Sequence, residues 1–282
     1  MAARFIYIDI SNKPVCLLQK VDFKSQNMKI LITSKIIVDP ETEPRVFSDE
    51  KLMQTARKVI DPIDDANVQS WIDKKINMPN FEITVANIGT AEDREILNRL
   101  TAMGVNKVIQ LCCSNKLLNQ LDCLGKAKLL RDLVTAQNFD LVTFGVQSSD
   151  GGSAQVGAAL AGLLNWTCIT NVKLIKQVSD TSVTVQCVFG NVYVDVCVDL
   201  PCILTCDICV QTPKTISVAD LIKAKGKPPV VETITDSNFE LKSQVEIIEN
   251  VVSVTPRLGR MFAKLNDALD ALAAWLRENK CL

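Results

Sequence analysis

The chain contains no histidine. This absence excludes Ser-His and Cys-His nucleophile pairs, imidazole ligands for metals, and imidazole as a general acid or base. What remains is an enzyme mechanism built on other groups, or a protein with no chemistry of its own. Function must therefore be sought in binding sites as well as in catalytic ones.

A surplus of positive charge is also missing. Lys and Arg number 31 against 32 Asp and Glu, which leaves a formal charge of −1. With no basic excess to neutralise a phosphate backbone, we expect no nucleic-acid partner. Long apolar runs are absent too, since the most apolar region, 183–211, is interrupted by Asp195, Asp199 and Asp207. No run reaches the roughly 18 residues of a membrane span, so we expect no span.

The eleven cysteines are an odd number, and several lie in apolar strand-like runs. We expect reduced thiols that mostly serve as small core residues. Cys202, Cys206 and Cys209 have the C-x3-C-x2-C spacing with which radical S-adenosylmethionine enzymes hold a four-iron cluster. In a strand, however, the first two share one face and Cys209 points to the other. The structural role is therefore favoured, and an iron-sulfur enzyme is the weaker alternative.

From Met28 onward, strand-like runs alternate with amphipathic helical patterns. The predicted strands are 28–35, 81–88, 105–113 and 139–145, and the predicted helices are 64–75, 91–103, 124–137 and 153–166. Four βα units in succession predict an α/β fold in which a parallel sheet carries helices on both faces.

After Trp166 the pattern changes to strand-like runs with little helix between them. These runs are 167–177, 182–190, 191–200 and 202–210. They predict antiparallel additions at the edge of the sheet. A short helix is predicted at 217–225 and a C-terminal helix at 264–279. Residues 230–260 have weak periodicity, typical either of an arm lying on another surface or of a loosely ordered linker.

The stretch LVTFGVQSSDGGSAQVGAALAGLLNW, residues 141–166, places a strand before small and acidic residues and then a helix of Ala, Gly, Val and Leu. The amides of Ala154, Gln155 and Val156 would open that helix, where free N–H groups and the helix dipole attract anions. Open α/β sheets also bind ligands beyond the carboxyl ends of their strands. We interpret the stretch as a phosphate site. The alternative is a small-residue helix shaped by packing alone.

This stretch resembles the signature of the β subunit of electron transfer flavoproteins. In that family a strand, Gly-Lys-Gln, an acidic loop and Asn-Gln-Thr-Gly or Ala-Gln-Val-Gly open a helix that ends in Leu-Leu-x-Trp or similar. The likeness extends over nearly the whole chain from Met28, in LITSKIIVDP, IDPIDDANVQSW, GTAEDREILNRLTAMGVNKVIQL, DLPCILTCD and LIKAKGKP. The order and spacing of these segments together carry the resemblance.

The resemblance implies an adenine-nucleotide α-hydrolase-like fold and a heterodimer with a larger α subunit that holds the redox FAD. The β subunit of ordinary members binds AMP, and electron-bifurcating relatives hold a second FAD there. Such a chain is an electron carrier subunit without a catalytic group of its own. It accepts electrons from acyl-CoA and related dehydrogenases of fatty acid β-oxidation. It passes them to the respiratory chain through electron transfer flavoprotein-quinone oxidoreductase. The implied location is the mitochondrial matrix in a eukaryote and the cytoplasm in a bacterium.

The resemblance also implies site residues. By position, the nucleotide pocket consists of Thr33, Asp61, Ile88, Gln147, Asp150, Ser153, Ala154, Gln155 and Val156, and the docking residues are Val218, Leu221, Lys223 and Lys225. Val218 stands where many members have Leu. The Lys of Gly-Lys-Gln is Val146, the Asn before Pro62 is Asp61, and a commonly acidic loop position is Gly152. Losing a cation and gaining a carboxylate near a phosphate both weaken anion binding.

Three segments are predicted along the chain. Residues 1–27 form an N-terminal extension, 28–229 the nucleotide-binding domain, and 230–282 a C-terminal arm and helix that pack on the partner subunit. The extension makes a poor transit peptide, because it has one Arg and two Asp. The departures at Val146 and Asp61 also keep a second hypothesis open, a diverged nucleotide-binding paralogue with a regulatory, non-redox role.

Overall fold

The structure, a computed structural model, describes residues 6–9, 28–41, 55–77, 81–207, 215–234, 243, 245 and 259–280. The strands are β1 Ile6–Asp9, β2 Met28–Thr33, β3 Ile36–Val38, β4 Lys58–Ile60, β5 Phe81–Gly89, β6 Lys107–Cys112, β7 Leu141–Gly145, β8 Thr167–Val178, β9 Ser182–Phe189, β10 Val192–Asp199, β11 Cys202–Cys206 and β12 Val230–Thr233. The helices are α1 Pro62–Asn77, α2 Arg94–Met103, α3 Asn115–Gln120, α4 Cys123–Gln137, α5 Val156–Leu164, α6 Val218–Lys225 and α7 Leu265–Glu278. A short 3-10 turn, Ala91–Asp93, precedes α2.

One large sheet organises these elements in the order β1-β10-β9-β8-β11-β7-β2-β5-β6-β12. Within the part of the sheet that runs β8-β11-β7-β2-β5-β6-β12, every pair of adjacent strands is parallel. The remaining strands, β9, β10 and β1, pair antiparallel beyond β8. The predicted α/β class, with a parallel sheet and antiparallel edge additions, is confirmed.

The position of β11 corrects one prediction. Its run Cys202–Cys206 was expected among the antiparallel additions, but β11 lies between β7 and β8 and is parallel to both. All five of its residues are buried. A strand covered on both faces shows a continuous apolar run instead of alternation, and that is typical of the interior of a parallel sheet. The run 167–177 was expected there too, but β8 is parallel to β11 and antiparallel only to β9, so the added edge begins at β9.

The core forms two layers because successive side chains of a strand point to opposite faces. On β2, Ile30 and Ile32 enter one apolar cluster and Leu31 enters the other. The first cluster includes Trp71 of α1, whose ring meets Phe81 edge to face at 5.9 Å between centroids. Helices α1 and α2 cover this face, and α3, α4 and α5 cover the other. Helices on both faces are thus confirmed.

Four strands and one helix were not predicted from the sequence. Strands β3 and β4 form a separate antiparallel pair, and α3 follows β6 directly. Strand β1 lies within the predicted extension 1–27, and β12 lies at the start of the predicted arm 230–282. Both strands pair with the large sheet through their backbones.

The C-terminal helix α7 belongs to a separate compact unit, residues 247–282. Its large apolar side chains recur at helical spacing and are exposed, namely Leu265, Leu269, Leu272 and Trp275. None of the helices in the described ranges is long and apolar enough to cross a membrane.

Candidate functional site

A cavity of about 490 Å³ opens at the carboxyl ends of β2, β5, β7 and β11. The chain runs outward from β2 through β5 to β6 and then returns to β7 on the other side of β2. Ligands of open α/β sheets bind at such a reversal of strand order. The volume is in the usual range for sites that bind small molecules and cofactors.

One wall of the cavity is the start of α5. The helix begins at Val156, so the predicted start at Ser153 was three residues early. Its N-cap residue, Gln155, makes no side-chain capping bond, so the amides of the first turn are not satisfied by a cap. These N–H groups and the helix dipole favour an anion at this end of the helix.

Helix α5 does not begin at Ser153 as predicted, because Ala154 has a left-handed backbone, with φ of 54°. A non-glycine residue in that region costs about 1 to 3 kcal/mol and persists only where its surroundings fix it. Gln155 returns to the right-handed region. Successive residues of opposite hand turn their amides toward one side and form an anion-binding concavity. The strain is therefore found where the sequence predicted the phosphate.

Asp61 holds the loop after β7 in place. Its carboxylate is fully buried and accepts hydrogen bonds from the Ser149 amide at 2.7 Å and the Ser149 hydroxyl at 2.8 Å. It also accepts from the amide of Ile63 at 3.1 Å. Asp61 does not line the cavity. Its carboxylate thus faces loop donors instead of open space.

Asp64 forms part of the cavity floor. Its carboxylate accepts from the amides of Lys35 at 2.8 Å and Gly145 at 3.2 Å. Burial raises the pKa of Asp64 to about 7, and the nearby Asp61 contributes in the same direction. A Cβ at Gly145 would lie 2.6 Å from the Asp64 carboxylate, so the close approach requires glycine. The floor therefore holds a carboxyl group that titrates near neutrality.

A lysine stands at the end of β2. The ammonium of Lys35 lies 2.5 Å from the Asp150 carboxylate. Burial alone would raise the pKa of Asp150, but the hydrogen bond and charge of Lys35 outweigh it, and the pKa is lowered. Lys35 lines the cavity, whereas Asp150 does not. The pair ties the loop after β7 to the end of β2.

The opposite wall is one face of α4. Cys123, Lys126 and Leu130 follow each other at helical spacing and all line the cavity. The sulfur of Cys123 lies 3.4 Å from the Ser153 hydroxyl, so the starts of α4 and α5 lie side by side. Burial and the charge of Lys35 both lower the pKa of Lys126. Sequence reasoning missed Lys126, because a lysine inside an amphipathic helix looks like part of a solvated face.

Most of the predicted pocket residues come together in this cavity. Those in its lining are Thr33, Ile88, Gln147, Ser153, Ala154, Gln155 and Val156. Asp61 and Asp150 stand outside the lining, and their contacts with Ser149 and Lys35 hold the loop after β7. Lys35, Asp64 and Lys126 line it and were not predicted.

The lining fits a polar, anionic ligand. The hydroxyl oxygen of Ser34 is buried and lacks a hydrogen-bond partner, although Ser34 borders the cavity. Buried polar atoms in folded proteins nearly always have a partner, such as a protein group, a water or a ligand. Together with the uncapped amides of α5 and the lysines, this hydroxyl suits a ligand with a phosphate and several hydrogen-bonding groups.

Comparison with known proteins now decides the family. Residues 74–237, more than half of the chain, match a family model described as "Electron transfer flavoprotein domain". The chain belongs to the electron transfer flavoprotein beta subunit family. The resemblance found in the sequence is thereby confirmed.

Relatives from eukaryotes and bacteria agree. The chain is 27% identical over 250 residues to the mitochondrial electron transfer flavoprotein subunit beta of Oryza sativa subsp. japonica, covering 87% of this chain and 97% of that protein. It is 28% identical over 265 residues to a probable electron transfer flavoprotein subunit beta of Saccharomyces cerevisiae, covering 91% and 98%. It is also 28% identical over 198 residues to the caffeyl-CoA reductase-Etf complex subunit CarD of Acetobacterium woodii, covering 70% and 72%. Family membership implies electron transfer together with an α subunit.

The short helix α6 carries the predicted docking residues. Val218 is 74% exposed and Leu221 39%, and Ile222 beside them is 65% exposed. Lys223 and Lys225 are exposed as well. The hydroxyl of Ser217 caps the helix by accepting from the Asp220 amide at 3.1 Å. Helix α6 thus presents apolar and basic side chains on the protein surface.

The cysteine spacing considered above does not form a metal site in the described part of the chain, which includes no group of three or more His, Cys, Asp or Glu that could hold a metal ion. Cys202 and Cys206 are buried in β11, and Cys209 lies outside the described residues. Burial raises the pKa of the Cys206 thiol, so it stays protonated near neutral pH. A protonated thiol is a poor metal ligand.

Proposed function

We propose that this chain is the β subunit of a heterodimeric electron carrier that accepts electrons from flavoprotein dehydrogenases, such as acyl-CoA dehydrogenases, and passes them to a respiratory-chain acceptor. Electron transfer flavoprotein-quinone oxidoreductase is the acceptor implied by the resemblance. Family membership carries the electron-carrier part of this proposal. FAD, held mainly by the α subunit, supplies the redox chemistry. In a eukaryotic source, the carrier works in the mitochondrial matrix.

The chain's own ligand in this proposal is AMP. The observation that supports AMP binding most directly is the cavity where the strand order reverses, with the uncapped start of α5 in its wall. The amides of Ala154, Gln155 and Val156 would hold the phosphate. Thr33, Ile88 and the orphaned Ser34 hydroxyl border the space left for the nucleoside. A second FAD in this place would mark a bifurcating carrier.

Two further surfaces support the proposal. The exposed apolar side chains Val218 and Leu221 of α6, next to Lys223 and Lys225, suit a docking surface for dehydrogenases. The apolar stripe of α7 suits the contact of the C-terminal arm with the α subunit. In this arrangement the β subunit has an architectural part, since it shapes the flavin crevice and presents the docking helix.

A reduction assay tests the electron-carrier role. The chain is co-expressed with its α subunit, and the purified complex is mixed without oxygen with an acyl-CoA dehydrogenase and its substrate. We expect the flavin absorbance of the complex to bleach only when dehydrogenase and substrate are both present. A complex whose flavin is not reduced by any flavoprotein dehydrogenase would refute the role. A monomer that binds AMP or ATP and no α subunit would instead identify a regulatory paralogue.

A further inference from the structure

The two lysines of the cavity differ in their partners. Lys35 is paired with Asp150 at 2.5 Å, so its charge is already balanced. The ammonium of Lys126 forms no ion pair or hydrogen bond with any residue in the described ranges. Asp122 and Asp150 act on it only at longer range. Lys126 is therefore the cavity cation whose charge has no direct partner among those residues.

Lys126 lies close to the start of α5 along the cavity wall. Cys123 touches the Ser153 hydroxyl at 3.4 Å, and Ser153 directly precedes the left-handed Ala154. Lys126 lies three residues after Cys123, which places both on the same face of α4. Lys126 and the uncapped first turn of α5 thus border the same cavity from two adjacent walls.

A partly buried cation without a direct partner is unfavourable when the loss of hydration outweighs the attraction of more distant negative groups. Burial and the neighbouring charge of Lys35 lower the pKa of Lys126, which expresses the same cost. An anion at the start of α5 would remove it. The amides and the ammonium would then act on one ligand charge, as helix N-termini and lysines commonly do in phosphate sites.

We propose that Lys126 pairs with the phosphate of the nucleotide bound in this cavity, and so supplies from α4 the positive charge that the loop after β7 lacks at Val146. The inference rests on the proposed nucleotide site and goes beyond it, because it assigns the phosphate to a residue outside the β7–α5 signature. It makes Lys126 a determinant of selectivity for phosphorylated ligands over the free nucleoside.

The test compares AMP with adenosine on the full-length chain in complex with its α subunit, after removal of bound nucleotide. Titration calorimetry is carried out on wild type, Lys126→Met and the control Lys116→Met, which removes an exposed lysine of α3 outside the cavity lining. We expect Lys126→Met to weaken AMP binding by about tenfold or more, since charge-assisted hydrogen bonds are the strong ones. Adenosine binding should change by less than about twofold, because no phosphate is present. The control should match wild type with both ligands.

A double variant that moves the lysine from α4 to the loop after β7 tests whether misfolding causes the loss of AMP affinity. The double variant Lys126→Met with Val146→Lys places the lysine back on the loop after β7, and we expect it to regain AMP affinity. Equal AMP affinity of Lys126→Met and wild type would overturn the assignment while leaving the nucleotide site intact. Equal losses for AMP and adenosine would overturn it too, since they would indicate a steric role. A wild type that binds neither AMP nor FAD would instead refute the proposed nucleotide site itself.

Discussion

Asp64 illustrates what burial does to a single carboxyl group. It lies in the cavity floor between the amides of Lys35 and Gly145, and its pKa is raised to about 7 from an ordinary value of 3.8. Between these values the folded chain keeps a proton that the unfolded chain releases. Stability must therefore fall as the pH rises through this window, and the loss is complete above about pH 7.

This shift predicts a pH dependence that Asp64→Asn removes. We expect the difference in unfolding free energy between wild type and Asp64→Asn to change by a few kcal/mol between pH 4.5 and 8, at about 1.4 kcal/mol per pKa unit. Urea unfolding at both pH values measures it. Asp132→Asn, at an exposed carboxylate of α4, is the control. Parallel pH curves for wild type and Asp64→Asn would show that Asp64 does not titrate in this range.

Two glycines of α5 make a matched pair. A Cβ at Gly157 would lie 3.0 Å from the Thr205 methyl and 3.2 Å from the Phe144 ring, whereas a Cβ at Gly162 would meet nothing within 4 Å. We expect Gly157→Ala to lower the unfolding free energy by about 1 to 3 kcal/mol through overpacking. Gly162→Ala should raise it by about 0.5 to 1 kcal/mol through helix propensity. Equal effects in thermal or urea unfolding would mean that α5 does not pack closely on β7 and β11.

At the scale of elements, local pattern predicts some of the fold and tertiary position decides the rest. The alternation of strands and helices before Trp166 was predictable, because helical spacing and strand runs differ within a short window. The direction of β11 was not, because an apolar run such as Cys202–Cys206 suits any buried strand. The direction of β11 follows from its position between β7 and β8, to which it pairs in parallel. The late start of α5 likewise depends on the left-handed Ala154, which no propensity predicts.

Helix α6 gives a prediction at this scale. If it docks dehydrogenases, Val218→Asp places an unpaired charge in an interface that must lose water, which is costly. We expect dehydrogenase-dependent reduction of the complex to slow by about tenfold or more, since misplaced interface charges cost several kcal/mol. Ala219→Asp adds the same charge at the next residue and should reduce the rate less. Val218→Asp with an intact complex and an unchanged rate would exclude α6 as the docking element.

At the scale of the molecule, the topology brings the site together. The reversal at β2 and β7 gathers residues from the ends of β2, β5 and β11, from α4 and from the start of α5 around one cavity. The sequence pattern predicted the β7–α5 part, because its small residues and helix start are adjacent in the chain. It could not predict Lys126 or Asp64, since their place in the cavity depends on how α4 and α1 pack against the sheet.

The family of the chain and the nucleotide in its cavity stand on different observations. Membership in the electron transfer flavoprotein beta subunit family implies electron transfer and an α-subunit partner. The identity of the nucleotide in the cavity is the central proposal of this account. The departures at Val146 and Asp61 are compatible with the proposed nucleotide site, because the Asp61 carboxylate is engaged by Ser149 and Lys126 lines the cavity from α4.

The most direct test is the nucleotide content of the purified complex. The chain is co-expressed with its α subunit, the complex is denatured, and the released nucleotides are quantified by chromatography and absorbance. We expect one FAD and one AMP for each heterodimer. Two FAD and no AMP would contradict the AMP assignment and indicate a bifurcating carrier. A complex without flavin, or no complex at all, would contradict the electron-carrier account itself.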